Sequence, residues 1–167
     1  MRIFGIAGWS GSGKTTLIAG LLPELIGMGL RVSTLKHSSH TFDIDKPGKD
    51  SYVHRAAGAA EVLVSSVKRW ALIHENLGEP EASLEDLIRM MTPVDLLLVE
   101  GFKAYPHAKI EVHRQANGKP LLYPDDPHIV AIASDVAMPE TGIPRFGLDE
   151  AARIARFIIS HCGLKAA

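Results

Sequence analysis

Gly8-Trp9-Ser10-Gly11-Ser12-Gly13-Lys14-Thr15 satisfies the pattern G-x-x-x-x-G-K-S/T at every fixed position. It stands between an apolar run over residues 2–7 and a helical pattern that begins at Lys14. In that strand-turn-helix context, glycines let the backbone wrap a phosphate with successive N–H groups at the positive end of a helix. Gly11 and Gly13 supply the curvature. Lys14 is expected to reach the β- and γ-phosphates, and the Thr15 hydroxyl to coordinate Mg2+.

The remaining pattern alternates strands with helices. Leu17, Leu21 and Leu25 recur at i+4, as do Ile18, Leu22 and Ile26, which predicts a helix bent at Pro23 and stopped by Gly27 and Gly29. A second strand is expected over 30–36, then a polar, histidine-rich segment over 37–50. Beyond it the spacing predicts a helix over 51–60, two runs at 61–66 and 69–75 forming a hairpin or a strand entering a turn, and a helix over 84–91. Strands are expected over 94–99, 109–113 and 129–133, a turn at Asn117-Gly118, a short apolar run over 121–123, and a closing helix over 148–162 capped by Gly163. This order predicts an α/β three-layer P-loop NTPase fold with a mainly parallel sheet and some antiparallel edge strands.

Length and composition restrict the alternatives. The 167 residues suit one nucleotide-binding domain, and 46% apolar against 22% charged residues is the balance of a folded globular chain. A net charge of -1 with dispersed lysines and arginines gives no electrostatic footprint for nucleic acid or an anionic membrane. The longest apolar runs fall far short of the ~20 residues that span a bilayer. Met1-Arg2-Ile3 leads straight into the first strand, so no signal peptide is expected and the cytosol is the expected location. With Cys162 alone, neither an intrachain disulfide nor a cysteine-built zinc site forms.

Two further stretches carry chemistry. The run Asp95-Leu96-Leu97-Leu98-Val99-Glu100-Gly101 delivers an acid at the carboxyl end of a buried strand, where parallel sheets hold their ligands. Glu100 is the expected acid, holding Mg2+ through water or orienting an attacking water. Asp95, roughly 16 Å away along the strand, is read as a strand-start residue. The segment after the second strand is dense in donors and acids. Asp43 and Asp45 are candidates for Mg2+ or water, Lys36, His37 and His40 for an anionic ligand, and His37 with His40 a weaker candidate for a metal. Gly48-Lys49-Asp50-Ser51 opens a helix, with Asp50 or Ser51 as N-cap.

Taken together, GWSGSGKTTL, LKHSSH, DKPGKDSY, AGAAEV, RWAL, LLLVEGFK and VAIASD, in that order, resemble the molybdopterin-guanine dinucleotide biosynthesis protein B family. The resemblance covers most of the chain except residues 109–126 and the C-terminal helix. It implies the last step of bacterial molybdenum cofactor maturation, in which a guanylyltransferase joins GMP to molybdopterin. It also implies GTP and Mg2+ binding, weak GTP hydrolysis, a homodimer built through extended sheets, and an adaptor role toward that enzyme. Carried onto this sequence, it places the GTP phosphates on Gly11, Ser12, Gly13, Lys14, Thr15 and Thr16, and Mg2+ near Thr15 and Glu100. Lys36, His37, His40, Asp45, Lys49 and Asp50 become rim residues of unassigned role. The N-K-x-D motif that reads guanine elsewhere is missing, and Asp135 is the candidate to accept the guanine N1 and N2 hydrogens, with a turn-capping acid as the alternative.

Catalysis of γ-phosphate loss requires charge stabilisation beyond the loop lysine, and an arginine finger is worth ~10^3 to 10^5 in rate. Arg31, Arg55, Arg69, Arg89 and Arg114 are scattered in sequence, and no arginine-rich lid is visible. A small-molecule kinase is therefore disfavoured, and slow intrinsic hydrolysis is expected. A metallochaperone-type GTPase, with metal at His37 and His40, is the runner-up.

Overall fold

The structure is a computed structural model that describes residues 1–38, 42–138 and 140–165. The chain folds as two compact units: Met1–His37 with Thr92–Ala167, and Ser38–Met91.

In the first unit, six strands among the described residues form one sheet in the order β2-β5-β1-β6-β7-β8. They are β1 (Arg2–Ala7), β2 (Val32–Lys36), β5 (Leu96–Glu100), β6 (Lys109–His113), β7 (Ile129–Ser134) and β8 (Arg145–Gly147). Every pairing in this sheet is parallel, so all carboxyl ends lie along one rim. The expected antiparallel strands are present, but they form a separate two-stranded sheet in the second unit. Helix α1 (Lys14–Gly27) runs unbroken through Pro23. It ends where Gly29 takes a φ of 84° and donates its N–H to the Ile26 carbonyl. Helix α4 (Ala151–His161) is shorter than expected, and Gly163 follows it at a φ of 61°.

Strand parity decides which residues meet the helices. Phe4, Ile6, Leu96, Leu98, Ile110, Val112, Ala131 and Ala133 share one face and pack against Leu17, Leu21 and Leu25 of α1 and Ile154 and Ile158 of α4. Each large aliphatic or aromatic side chain among them contributes about 1.5–3 kcal/mol through burial. Lys109 and Glu111 alternate with Ile110 and Val112 and so point to the opposite face, yet both are buried. Lys109 donates to the carbonyls of Lys103 and Tyr105 and to Asp126 at 2.8–2.9 Å. Glu111 accepts the N–H groups of Leu122 and Tyr123, while burial pushes its carboxyl upward. These groups pin the returning segments over the sheet, and their hydrogen bonds offset the cost of burying charge. Residues 121–123 accordingly lead into a 3-10 turn at Tyr123–Asp125 and make no strand.

The second unit holds α2 (Asp50–Ala56), the antiparallel pair β3 (Glu61–Ser65) and β4 (Trp70–His74), and α3 (Leu84–Met90). The cap of α2 differs from expectation: Lys49 is the N-cap residue and makes no side-chain bond, while Asp50 is the first helical residue. There its charge favours the helix dipole. Ser51 instead donates to Asp45. Helix α2 is also shorter than predicted, giving way at Ala57 to a left-handed Gly58. Ser83 caps α3 by accepting the Asp86 N–H.

Candidate phosphate site at the carboxyl rim of the sheet

The loop from Gly8 to Gly13 leaves β1 at the centre of the rim and enters α1. A Cβ on Gly8 would collide with the Val112 carbonyl oxygen and with Ser12 Oγ, so the turn passes too close to β6 for any side chain. Gly11 and Gly13 have φ of 76° and 100°, the left-handed region that curls the backbone around a phosphate. Gly13 is also the cap of α1. Ser12 is buried, and its hydroxyl has no hydrogen-bond partner among the described residues.

Glu100 reaches this loop through register. It sits opposite Ile6 on β1 and Lys36 on β2, two residues beyond the core residue Leu98, and so points to the face that carries α1. A slip of one residue would turn it to the other face. The residue is 8% exposed, and both its carboxylate oxygens accept from Thr15 Oγ1 at 3.2 Å. Lys36 Nζ lies 3.6 Å away. Lys14 folds back to donate to the Trp9 carbonyl at 2.9 Å. Burial holds its ammonium below the usual value; Glu100 opposes that effect, and Lys103 and Lys36 add to it. Lys14 and Lys36 thus share a single carboxylate, and Lys103 adds a third positive charge near Lys14, an arrangement that attracts an oxyanion.

Sequence reasoning brought Lys14, Thr15, Glu100 and Lys36 to this rim, and the structure assembles them. His37 joins them through its backbone, donating its N–H to the Glu100 carbonyl at 2.8 Å, and its ring packs on Phe102 at 4.5 Å. Phe102 adopts a φ of 47° directly after Gly101, and such strain in a non-glycine residue is common beside ligand sites. Thr16 lies exposed in the first turn of α1. Asp95 sits at the opposite strand end and accepts the Arg31 N–H at 2.7 Å, as its strand-start reading anticipated.

The other rim candidates lie in the second unit or outside the described residues. Asp45 accepts from Ser51 Oγ at 3.0 Å and Arg55 Nε at 3.1 Å, so both its oxygens are engaged. Arg55 also binds Asp43 at 2.8 Å and Glu75 at 3.2 Å. Lys49 and Asp50 begin α2. His40 lies outside the described residues. Among the described residues, no group of three or more His, Cys, Asp or Glu side chains is placed to hold a metal ion.

Asp135 follows β7 on the first unit's rim. Its Oδ1 accepts the Gln115 N–H at 3.0 Å, and its Oδ2 is 3.7 Å from Arg114. Asp135 and Arg114 line a cleft of about 740 Å3 that continues through Ser134, Arg145 and Leu148. Arg114 is the principal residue missed from sequence, where it counted among scattered arginines. Its guanidinium is 3.3 Å from the position of a Cβ on Gly13. Asn117 donates to the Ser10 carbonyl at 3.1 Å, and the Trp9 indole to the Pro120 carbonyl at 2.8 Å. The variable positions of the loop therefore hold it against residues 114–120. Lys103 lies over the same indole at 4.5 Å.

Comparison with known proteins agrees with this architecture. Residues 3–135 match the family model described as molybdopterin guanine dinucleotide synthesis protein B. The chain is 41% identical over 160 residues to the molybdopterin-guanine dinucleotide biosynthesis adapter protein of Escherichia coli, covering 94% of this chain and 91% of that one. It is 44% identical over 135 residues to the adapter protein of the same name from Haemophilus influenzae, covering 80% and 74%. A crystal structure of molybdopterin-guanine biosynthesis protein B superposes with a TM-score of 0.75 at 31% identity, covering 95% of this chain and 99% of that one. Bacillus subtilis MobB gives a TM-score of 0.75 at 26% identity, covering 97% and 98%. No helix among the described residues is long and apolar enough to cross a membrane. The matching model, the identity over most of the length and the shared fold give one conclusion: this chain belongs to the molybdopterin-guanine dinucleotide synthesis protein B family.

Proposed function

We propose that the protein is an adapter in molybdopterin-guanine dinucleotide biosynthesis that binds GTP with Mg2+, hydrolyses it slowly, and works on the guanylyltransferase that joins GMP to molybdopterin. The observation that carries the nucleotide part is the contact of Thr15 with both oxygens of Glu100, set between Lys14 and Lys36. A phosphate-loop hydroxyl facing a strand-end carboxylate is the arrangement that holds Mg2+ in P-loop proteins. Here the Thr15 hydroxyl and, directly or through water, Glu100 would hold the ion, which would neutralise charge between the β- and γ-phosphates. The Lys14 ammonium, leaving the Trp9 carbonyl, would bind those phosphates, and Asp135 would accept the guanine hydrogens. The adapter part is supported by the names of the Escherichia coli and Haemophilus influenzae relatives.

The test is multiple-turnover GTP hydrolysis with and without the guanylyltransferase. Turnover well below ~1 per second for the protein alone, near the low end of ordinary enzyme rates, is expected, with a change only when the partner is added. Faster turnover without the partner would identify a self-sufficient GTPase and sink the adapter reading.

A homodimer forms part of the same proposal, and its support lies in the hairpin. Leu63 faces Leu72 across β3 and β4, one step from Trp70, and the three are 62%, 45% and 66% exposed. Apolar cross-strand neighbours left open on one face are typical of an interaction surface. Leu63→Asp with Leu72→Asp is expected to shift sedimentation at micromolar concentration from dimer to monomer. Two species of equal mass would remove the hairpin from the interface.

A further inference from the structure

Arg114 belongs to two places at once. One side of its guanidinium abuts the phosphate loop at Gly13, at 3.3 Å from a Cβ position, and the other faces Asp135 in the cleft. The two partners of this ion pair are held differently. Asp135 is fixed by the Gln115 N–H on its Oδ1, whereas Arg114 approaches Oδ2 only to 3.7 Å and its side chain is 40% exposed. Charge-assisted N–H···O bonds close at about 2.7–2.9 Å, so this pair is loose and the arginine is the partner free to move. Its backbone, in contrast, is tied to a segment anchored beside the loop: the Arg114 carbonyl accepts the Asn117 N–H, the Asn117 side chain donates to the Ser10 carbonyl, and the Pro120 carbonyl accepts the Trp9 indole N–H.

A polyphosphate seated on Gly13, Lys14 and Thr15 would bring oxyanions within reach of the same guanidinium. A phosphate offers a planar fork two acceptor oxygens at good geometry, and a carboxylate at 3.7 Å competes poorly with it. We infer that Arg114 is a phosphate-binding residue of the nucleotide site, and that it exchanges the Asp135 carboxylate for a phosphate when nucleotide binds. The exchange releases Asp135 Oδ2 toward the cleft. A carboxylate freed there accepts the two N–H donors of a guanine edge and repels the acceptor nitrogen that adenine presents at the same place. Phosphate binding and base choice are thereby coupled, and by linkage each strengthens the other. This inference rests on the reading that the loop binds a nucleoside triphosphate. It also adds a cis arginine to a site that shows none in sequence.

Titration calorimetry with Mg2+ separates the two claims, using GTP, ATP and the base-free probe tripolyphosphate. Against wild type, Arg114→Ala is expected to weaken both GTP and tripolyphosphate by about ten- to a hundredfold, the range for losing one bond to a charged group. Arg114→Lys restores part of that loss. Asp135→Asn is expected to strengthen tripolyphosphate binding several-fold, because its arginine is no longer held, while the preference for GTP over ATP collapses. That gain of affinity cannot come from misfolding, and it disappears in the double variant if the two residues compete as described. Wild type binding GTP with Arg114→Ala equal to it would overturn the inference and leave the nucleotide reading standing. So would unchanged tripolyphosphate affinity in Asp135→Asn. Wild type that binds neither GTP nor tripolyphosphate would overturn the nucleotide reading, and the inference with it.

Discussion

Lys14→Ala is expected to weaken GTP binding by roughly a hundredfold, about 3 kcal/mol, because the variant loses a charge-assisted contact in a partly desolvated site. The size of the effect follows from the present state of the ammonium. It is half-buried against its own loop, held by the Trp9 carbonyl, and near Lys36 and Lys103 with Glu100 as the compensating charge. A group in that setting gains more from a polyphosphate than an exposed lysine would, since much of its hydration is already lost. The same substitution leaves the fold intact, because Lys14 fills no core position and its hydrogen bond is to the turn of its own loop. Calorimetric titration paired with a thermal melt checks both parts. A GTP affinity within twofold of wild type would contradict the assignment of Lys14.

Glu100→Ala is expected to act through the metal. With the carboxylate removed, the Mg2+ concentration required for half-maximal GTP binding is expected to rise at least tenfold, the lower range for substitutions that support a metal site. Glu100→Gln keeps the volume and one acceptor for Thr15, yet loses the charge that balances Lys14 and Lys36. It is therefore expected to raise the Mg2+ requirement in the same direction while retaining the melting behaviour of a packed side chain. GTP titrations over a Mg2+ series read the effect. A wild-type Mg2+ profile in both variants would place the ion elsewhere.

The strand that carries Glu100 was legible because its apolar residues run without a break, as they do where a parallel sheet is covered on both faces, and the acid closes the run. The phosphate loop was legible for the same kind of reason, a local pattern with a local cause. Arg114 was not. It stands one residue beyond β6, about a hundred positions from Gly13, and meets it only because β6 pairs with β1 in the sheet. Strand order is a long-range property, and nothing in the spacing of the chain announces that β5 lies between β2 and β1.

Lys109 and Glu111 illustrate a different limit. Alternation along Lys109–His113 is the ordinary mark of a strand with one wet face. The structure covers that face with residues 103–105 and 122–126 and uses both charged side chains to hold them. Strand β8 escaped notice because three residues, Arg145–Gly147, are too few to show a period, and Pro144 stands before them. In the second unit, acids that read as candidates for Mg2+ or water serve Arg55. Asp43, Asp45 and Glu75 all bind its guanidinium, and the Arg55 hydrogen bond holds Asp43 below the ordinary carboxylate range. A density of acids in a loop marks a charge network as readily as a metal site, and only the position of the arginine distinguishes them.

A rim that binds a guanine nucleotide through its phosphates and its base together must discriminate between GTP and ATP, which share every phosphate. Titration of the wild-type protein with each nucleotide in the presence of Mg2+ reads that discrimination without any substitution. Saturable one-to-one binding of GTP, with ATP weaker by at least tenfold, is the expected result; equal affinities, or binding of neither nucleotide, would contradict it.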